Sequence, residues 1–274
     1  MQGSSAPAQA PESDLPTHRR YIRQVRSFFL QFDPLYRLSL RLRYGAGRRT
    51  FSSNSGFANG VLKSRAEWKA ASNEARRLKL PLHRSPEKDW DHIAAANTIA
   101  GAFPTSACVL DAGAEFYSNV LPALFVYGFR NLYGMNLSFT DEARRGPIRY
   151  LPGDITRTGF ADGFFDAITC MSVIEHGVPL EPYFREAYRL LKPGGLLITS
   201  TDYFADPIDT TGKTAHGAAI KVFCRREIEE MLALAKACGF EQTGEIDLDC
   251  TEPTVRWDKF ELDYTFLIFT LRKA

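Results

Sequence analysis

The fold is decided by the stretch Cys108-Val109-Leu110-Asp111-Ala112-Gly113, a short apolar run that ends in an acid and a glycine. A segment with helical spacing follows, and then a second apolar run, Asn131-Leu132-Tyr133-Gly134-Met135-Asn136. This order predicts a parallel βαβ unit. In such sheets ligands bind beyond the carboxyl ends of the strands.

The turn after the first strand differs from the dinucleotide-binding pattern. Gly113 allows a sharp turn and a close backbone approach to a ligand. A G-x-G-x-x-G pattern would need further glycines, and Glu115 and Tyr117 stand in their place. The sequence therefore argues against a nicotinamide dehydrogenase.

Further strands and helices alternate along the chain, which predicts an α/β protein. The helix before Lys192-Pro193-Gly194-Gly195 should stop there, because glycine and proline end helices. A long polar loop is predicted for residues 201–222. The last two strands lie close together, so we expect a mostly parallel sheet that closes with an antiparallel hairpin. The predicted strands after Asn136 are 148–154, 164–173, 196–200, 245–248 and 264–270.

The N-terminal part has a different composition from the rest. Residues 1–16 are rich in Ser, Ala, Pro and Gln and are predicted to be a disordered tail. Residues 17–84 are predicted to be a basic helical extension, and residues 85–274 the main domain. Residues 17–50 hold nine arginines and a single acid, Asp33, with apolar residues at helical spacing. Such helices either cover the main domain with their apolar face or contact a membrane surface or an anionic partner.

Composition sets broad limits. The 274 residues carry a net charge of +2, so overall charge does not point to nucleic acid. The five cysteines are scattered without metal-binding spacing, and no metal site is predicted. The N-terminus lacks the pattern of a signal sequence, and no apolar run approaches the ~20 residues that span a bilayer. A cytoplasmic location is predicted.

Four spaced motifs resemble a class I S-adenosylmethionine-dependent methyltransferase. They are Val109-Leu110-Asp111-Ala112-Gly113, Gly153-Asp154-Ile155, Phe165-Asp166-Ala167-Ile168 through Val173-Ile174-Glu175-His176, and Leu190-Leu191-Lys192-Pro193-Gly194-Gly195. The resemblance covers about residues 90–272. It implies a Rossmann-like sheet of seven mostly parallel strands with an antiparallel last strand, preceded here by the helical extension.

The resemblance also implies S-adenosylmethionine as the cofactor. The residues implied to bind it are Asp111, Ala112 and Gly113 at the methionine end, Asn136 at the ribose, Asp154 and Ile155 at the adenine, and Met171 and Ser172 along the methionyl chain. Asn136, Glu115 and Tyr117 depart from the family pattern, the last two at positions that are usually glycine. Asn136 replaces the usual acid, which weakens the grip on the ribose. We hypothesise that Glu115, at a position that is usually glycine, supplies the missing carboxylate to the ribose or to the ammonium group.

The predicted reaction is methyl transfer to a small molecule or sugar, at a hydroxyl. A hydroxyl acceptor needs a base, and His176 and His216 are the candidates because histidine titrates near neutral pH. Tyr203, Asp206 and Asp209 are candidates for binding acceptor hydroxyls. The alternative is a non-catalytic binding or scaffold protein with a degraded cofactor site. A nucleic-acid methyltransferase is disfavoured, because the aromatic residues of the basic segment lie on its apolar face.

Overall fold

The computed structural model describes residues 25–45, 57–215 and 217–274. Residues 25–30 are helical. The named helices are α1 (Asp33–Tyr44), α2 (Arg65–Arg77), α3 (Asp89–Ala102), α4 (Val120–Tyr127), α5 (Leu180–Leu190) and α6 (Arg225–Ala237). The strands are β1 (Gly60–Val61), β2 (Cys108–Ala112), β3 (Asn131–Asn136), β4 (Ala143–Arg145), β5 (Ile148–Pro152), β6 (Phe165–Met171), β7 (Leu191–Tyr203), β8 (Thr214–Ala215), β9 (Ala218–Ala219), β10 (Phe240–Gln242), β11 (Val255–Trp257) and β12 (Leu262–Lys273).

The predicted seven-stranded sheet is confirmed, in the order β5-β3-β2-β6-β7-β12-β10. The five strands from β5 to β7 are parallel to their neighbours, and β12 runs antiparallel to β7. Short strands β1, β4 and β11 extend this sheet, while β8 and β9 form a separate hairpin. The molecule is thus a Rossmann-like α/β fold whose last strand is reversed, as the sequence predicted.

The strands are apolar on both faces of the sheet, and helices pack against each face. Val109 and Leu110 of β2 are buried on opposite faces, each in a separate core cluster. Helix α4 is apolar along its whole length because it is buried on nearly every side, and Gly128 ends it in a left-handed conformation with φ of +108°. Because successive side chains of β2 point to opposite faces, each face of the sheet has its own apolar surface for a layer of helices.

Two predicted boundaries are wrong. The strand predicted at 245–248 lies earlier, at β10, and 244–250 forms no strand. Strand β7 is longer than predicted, because it begins at Leu191 and runs to Tyr203, which lies inside the segment predicted as a loop. The predicted end of the preceding helix is confirmed, since α5 ends at Leu190.

The segment predicted as an extension also contacts the sheet. Strand β1 pairs antiparallel with β12, and Ser64 caps α2 by accepting a hydrogen bond from the Glu67 N–H at 3.3 Å. Helix α1 packs on the domain through Tyr36 and Leu40. The predicted tail, 1–16, lies outside the described residues. In the ranges that the structure describes, no helix is long and apolar enough to cross a bilayer.

Candidate active site

The turn after β2 lies at the centre of the edge where the parallel strands end. Gly113 has φ of +89°, and its N–H donates a hydrogen bond to the Met135 carbonyl at 2.8 Å. A Cβ atom at position 113 would lie 2.3 Å from Cγ2 of Val173, which follows β6. Glycine is required here by both backbone conformation and space. The turn consequently holds the ends of β2, β3 and β6 close together.

Asp111 faces the neighbouring strand. Its side chain is buried, and its Oδ1 accepts a hydrogen bond from Oγ1 of Thr169 at 2.7 Å. Burial raises the pKa of Asp111 to about 7, although the Thr169 hydroxyl opposes the shift. This carboxyl group is therefore bonded to the neighbouring strand and withdrawn from solvent at the predicted methionine end.

Asn136 and Glu115 lie side by side at the ends of β3 and β2. The Asn136 amide donates to the Gly113 carbonyl at 2.9 Å and accepts from the Ser138 N–H at 2.8 Å. The Ser138 hydroxyl in turn donates to Glu115 Oε1 at 2.7 Å. A carboxylate is thus present at the end of the second strand even though Asn136 provides none. That Glu115 binds the cofactor stays a prediction.

Asp154 and Ile155 follow β5 on the same edge. Asp154 is exposed, and its Oδ1 accepts hydrogen bonds from the Thr156 N–H at 2.8 Å and from the Thr156 hydroxyl at 2.7 Å. These bonds fix the turn and hold the carboxylate at the rim of the edge. Its predicted contact with adenine remains a prediction.

Met171 and Ser172 lie at the end of β6. Ser172 has φ of +53°, a conformation that non-glycine residues seldom adopt outside functional sites and tight turns. Its N–H donates to the Ser200 carbonyl at 3.0 Å, which ties the end of β6 to β7. Its hydroxyl accepts a hydrogen bond from the Lys88 ammonium.

Lys88 belongs to a group of buried charges beneath this edge, the buried charge cluster, which comprises Lys88, Asp91, Glu175 and Asp202. Lys88 Nζ lies 3.7 Å from Asp202 Oδ1 and 3.9 Å from the centre of the Phe266 ring. Asp91 Oδ2 accepts from the Ser200 hydroxyl at 2.6 Å. Glu175 Oε2 accepts from the Thr201 hydroxyl at 3.2 Å. The cluster joins the start of α3 to the ends of β6 and β7.

The cluster holds three carboxyl groups and one ammonium group out of water. Burial, followed by the charge of Asp202, raises the pKa of Glu175 above its usual range. Burial also raises the pKa of Asp202, against the opposing charge of Lys88. Burial by itself would lower the pKa of Lys88, but the surrounding carboxylates outweigh it and raise that pKa. Whether one group in the cluster is protonated therefore depends on the charges of the others.

Sequence reasoning missed this cluster. The run Glu87-Lys88-Asp89-Trp90-Asp91 has the composition of an exposed helix start, where acids are favoured by the helix dipole. Only the fold brings it to Asp202, far away in the chain. One available signal was the acid within the otherwise apolar and hydroxyl-bearing run Leu196–Tyr203, because an acid in a buried strand needs a partner.

A cavity of about 530 Å³ opens beside the cluster. Glu175 contributes to its wall, together with Asp209, Thr210 and Lys221 from the segment after β7. Apolar surface is provided by Ile208, Val222 and Phe223, among others. A cavity of this size and mixed lining accommodates a small molecule.

Of the three residues predicted to bind the acceptor, one lines the cavity and two do not. Tyr203 is a correction: it is fully buried, and its hydroxyl donates to the Leu248 carbonyl at 2.7 Å, so it cannot bind an acceptor from the loop. Asp209 lines the cavity, and Asp206 is exposed outside it. His176 is half-buried at the end of the short helix Ile174–His176. The candidate base His216 lies outside the described residues.

Residues 110–199 match the family model described as a methyltransferase domain. Among curated proteins, a sterol 24-C-methyltransferase of Debaryomyces hansenii is 29% identical over 119 residues, which are 40% of this chain and 31% of that protein. A demethylmenaquinone methyltransferase of Beutenbergia cavernae is 31% identical over 80 residues, 29% of this chain and 32% of that protein. The chain thus spans about a third of these relatives.

Solved structures share the fold. A phosphoethanolamine N-methyltransferase 2 of Haemonchus contortus in complex with S-adenosyl-L-methionine superposes with a TM-score of 0.50 at 16% identity, over 68% of this chain and 53% of that one. The YcgJ protein of Bacillus subtilis gives a TM-score of 0.50 at 13% identity, over 67% of this chain and 98% of that one. The predicted cofactor, S-adenosylmethionine, is confirmed as that of the family. Residues 110–199 thus match a methyltransferase domain, and the resemblance to class I S-adenosylmethionine-dependent methyltransferases that the sequence predicted is supported by this match and by the shared fold.

Proposed function

We propose that the protein transfers a methyl group from S-adenosylmethionine to a hydroxyl group of a small-molecule acceptor. The observation that carries this proposal is the buried charge cluster, which lies at the same sheet edge as the Gly113 turn and adjoins the cavity through Glu175. Clustered titratable groups that are buried next to a cavity are typical of active sites.

The residues present fit the cofactor. Its sulfonium and ammonium groups are cationic, and the cluster has more carboxyl groups than ammonium groups. The Glu115 carboxylate accepts a hydrogen bond from the Ser138 hydroxyl through Oε1, which holds a charged acceptor at the end of β3 for the ribose. The Gly113 turn would lie against the methionine end, while Glu115 and Asp154 stand at the rim for the ribose and the adenine. When bound, the cofactor supplies an activated methyl group.

The protein's own part in the reaction is to place the acceptor and remove its proton. Glu175 is suited to this, since it faces the cavity and its raised pKa brings it closer to neutral pH. Asp209 and Thr210 also line the cavity, where they would bind further hydroxyls. His176, next to Glu175 in the chain, is the alternative base.

The lining of the cavity suggests two candidate acceptor classes. The polar part of the cavity wall favours a hydroxyl-bearing molecule such as a sugar. The relatives are named for sterol and for demethylmenaquinone, which are apolar ring compounds with an oxygen substituent. Both compounds have an apolar carbon skeleton, which the Phe223 and Ile208 side of the cavity suits. The sterol relative is named a C-methyltransferase, so the hydroxyl as the methylated group rests on the cavity lining and not on the relatives.

A scaffold protein without activity is the second candidate. It is favoured by Asn136, whose amide is already bonded to the backbone on both sides. Incubation of the protein with labelled S-adenosylmethionine and panels of sugars and sterols separates the two candidates. Methyl transfer to a member of either panel supports the enzyme. The panel whose members are methylated faster identifies the acceptor class. Cofactor-free, inactive protein of demonstrated fold supports the scaffold.

A further inference from the structure

The N-terminal helices present an exposed apolar surface, here called the outer apolar face. It is formed by Val25, Phe28, Phe29, Phe32, Leu35, Leu38 and Leu42. Leu42 is 79% exposed and Phe28 is 58% exposed. In the described part of the chain, twelve large hydrophobic side chains are exposed, and these seven lie within 18 consecutive residues. Such a concentration marks an interaction site, whereas scattered exposed hydrophobic residues need no explanation.

The outer apolar face is not the side by which α1 packs on the domain. Tyr36 stacks on Phe125 of α4 with ring centres 5.5 Å apart, and Leu40 is buried next to it. The Arg37 guanidinium lies over the same Phe125 ring at 4.4 Å. Leu35, Leu38 and Leu42 point elsewhere, so the helix has two apolar faces. The explanation that its apolar residues simply cover the domain therefore fails for this second face.

The described residues around this face are basic. Residues 25–45 contain four arginines, at positions 26, 37, 41 and 43, and one acid. That acid, Asp33, is already bonded to Arg130 and lies 3.8 Å from Arg37. Arg26, Arg41 and Arg43 are exposed and form no ion pair with any residue that the structure describes. The face thus combines apolar surface with positive charge that no acid among the described residues neutralises.

We infer that the outer apolar face docks on an anionic membrane surface. A helix with aromatic residues and leucines on one side and arginines around them inserts its apolar side at the lipid interface, while the cations bind anionic headgroups. A second copy of the chain fits less well. A twofold interface would bring both sets of arginines together, and like charges across an interface are unfavourable.

Docking would orient the rest of the molecule. The Leu30 carbonyl accepts a hydrogen bond from the Gly146 N–H at 2.8 Å, at the turn between β4 and β5. The neighbouring Arg145 donates to the Phe116 carbonyl at 2.5 Å, in the loop that follows Gly113. A membrane bound at the helices therefore lies on the side of the domain that carries the loop after Gly113, which includes Glu115. This inference does not depend on methyl transfer.

The test is co-sedimentation of the full chain with phosphatidylcholine vesicles, with and without phosphatidylserine, at low and high salt. We expect binding to the anionic vesicles at low salt and its loss as salt rises. The double variant Leu38→Glu/Leu42→Glu should bind more than about tenfold more weakly, since it removes two inserted side chains. Both residues are exposed, so the variant should fold. Ala233→Glu/Ala237→Glu, which places two glutamates on an exposed side of helix α6, is the matched control and should bind as the parent does.

Three outcomes would overturn the inference. They are no binding of folded protein to anionic vesicles at low salt, equal binding by parent and double variant, and a dimer in solution that Leu38→Glu/Leu42→Glu converts to monomer. The last outcome would assign the face to a second copy of the chain. Cofactor titration of the same double variant keeps this test separate from the proposed function, because cofactor binding should be unchanged.

Discussion

The Lys88 ammonium lies 3.7 Å from the Asp202 carboxylate, in a region where both side chains are almost removed from water. Lys88 enters from the start of α3, whereas Asp202 lies near the end of β7. Breaking a buried ion pair costs more than making it gains, because the remaining charge stays buried without a partner. Lys88 is therefore required to neutralise the excess of carboxyl groups around it.

Lys88→Met should destabilise the protein by about 3 kcal/mol. Without the ammonium, the pKa values of Asp202 and Glu175 rise further. A carboxyl group whose pKa is higher in the folded state favours folding at low pH and opposes it as pH rises. The loss should therefore shrink towards low pH in urea-unfolding measurements. Lys192→Met, which breaks a half-exposed pair with Asp166, is the control and should cost below about 1 kcal/mol. Equal losses in both variants would contradict the account.

Asp111 should make the stability pH-dependent. Its pKa is about 7 in the folded protein, against about 4 in an unfolded chain. Between these values the folded state binds more protons, so the free energy of unfolding falls as pH rises, by up to about 1.4 kcal/mol per pH unit from this group. Asp111→Asn should flatten the dependence between about pH 4 and 7. Glu252→Gln, at an exposed position, serves as the control, and an unchanged slope in Asp111→Asn would refute the assignment.

Glu115→Gln tests the carboxylate that accompanies Asn136. A charge-assisted hydrogen bond to the ribose or the ammonium would be weakened, and the affinity for S-adenosylmethionine should fall about tenfold. The Ser138 contact can persist, since the glutamine carbonyl also accepts a hydrogen bond. Calorimetric titration measures the change, again with Glu252→Gln beside it. Unaltered affinity would remove Glu115 from the cofactor site.

Glu175→Gln and His176→Asn separate the two candidate bases. If Glu175 removes the acceptor proton, its substitution should lower kcat at least about 100-fold, a loss larger than any change in cofactor affinity. His176→Asn should then leave kcat within a few-fold of the parent. In the parent, kcat should increase with pH, because the raised pKa of Glu175 keeps part of it protonated near neutrality. The reverse pattern between the two variants would assign the proton transfer to His176.

The strands that carry the fold could be predicted because their signals are local. The apolar run Cys108–Ala112 is followed directly by Gly113, which the turn requires. The misplaced strand shows the limit of this approach. Ile246 and Leu248 alternate with polar residues as in a strand, but the actual strand is the shorter β10, which forms only by pairing with the end of β12. Short edge strands depend on a partner that the local sequence does not reveal.

The site could be predicted only in part, for a related reason. Gly113 and Asp154 are recognisable by position in a motif, and the structure places both at the predicted edge. Tyr203 was assigned to a loop from its polar neighbours, although its ring fills the core and its hydroxyl is bonded to Leu248. Lys88 offered no local signal at all. Its role arises from burial beside Asp202, and burial is a property of the whole fold.

Calorimetric titration with S-adenosylmethionine, and with its demethylated product, tests the central claim most directly. The account predicts micromolar affinity that Asp154→Ala abolishes and that Glu252→Ala, at another exposed acid, leaves unchanged. Folded protein that binds neither compound would contradict it, and the second candidate, a scaffold with a methyltransferase fold, would then stand.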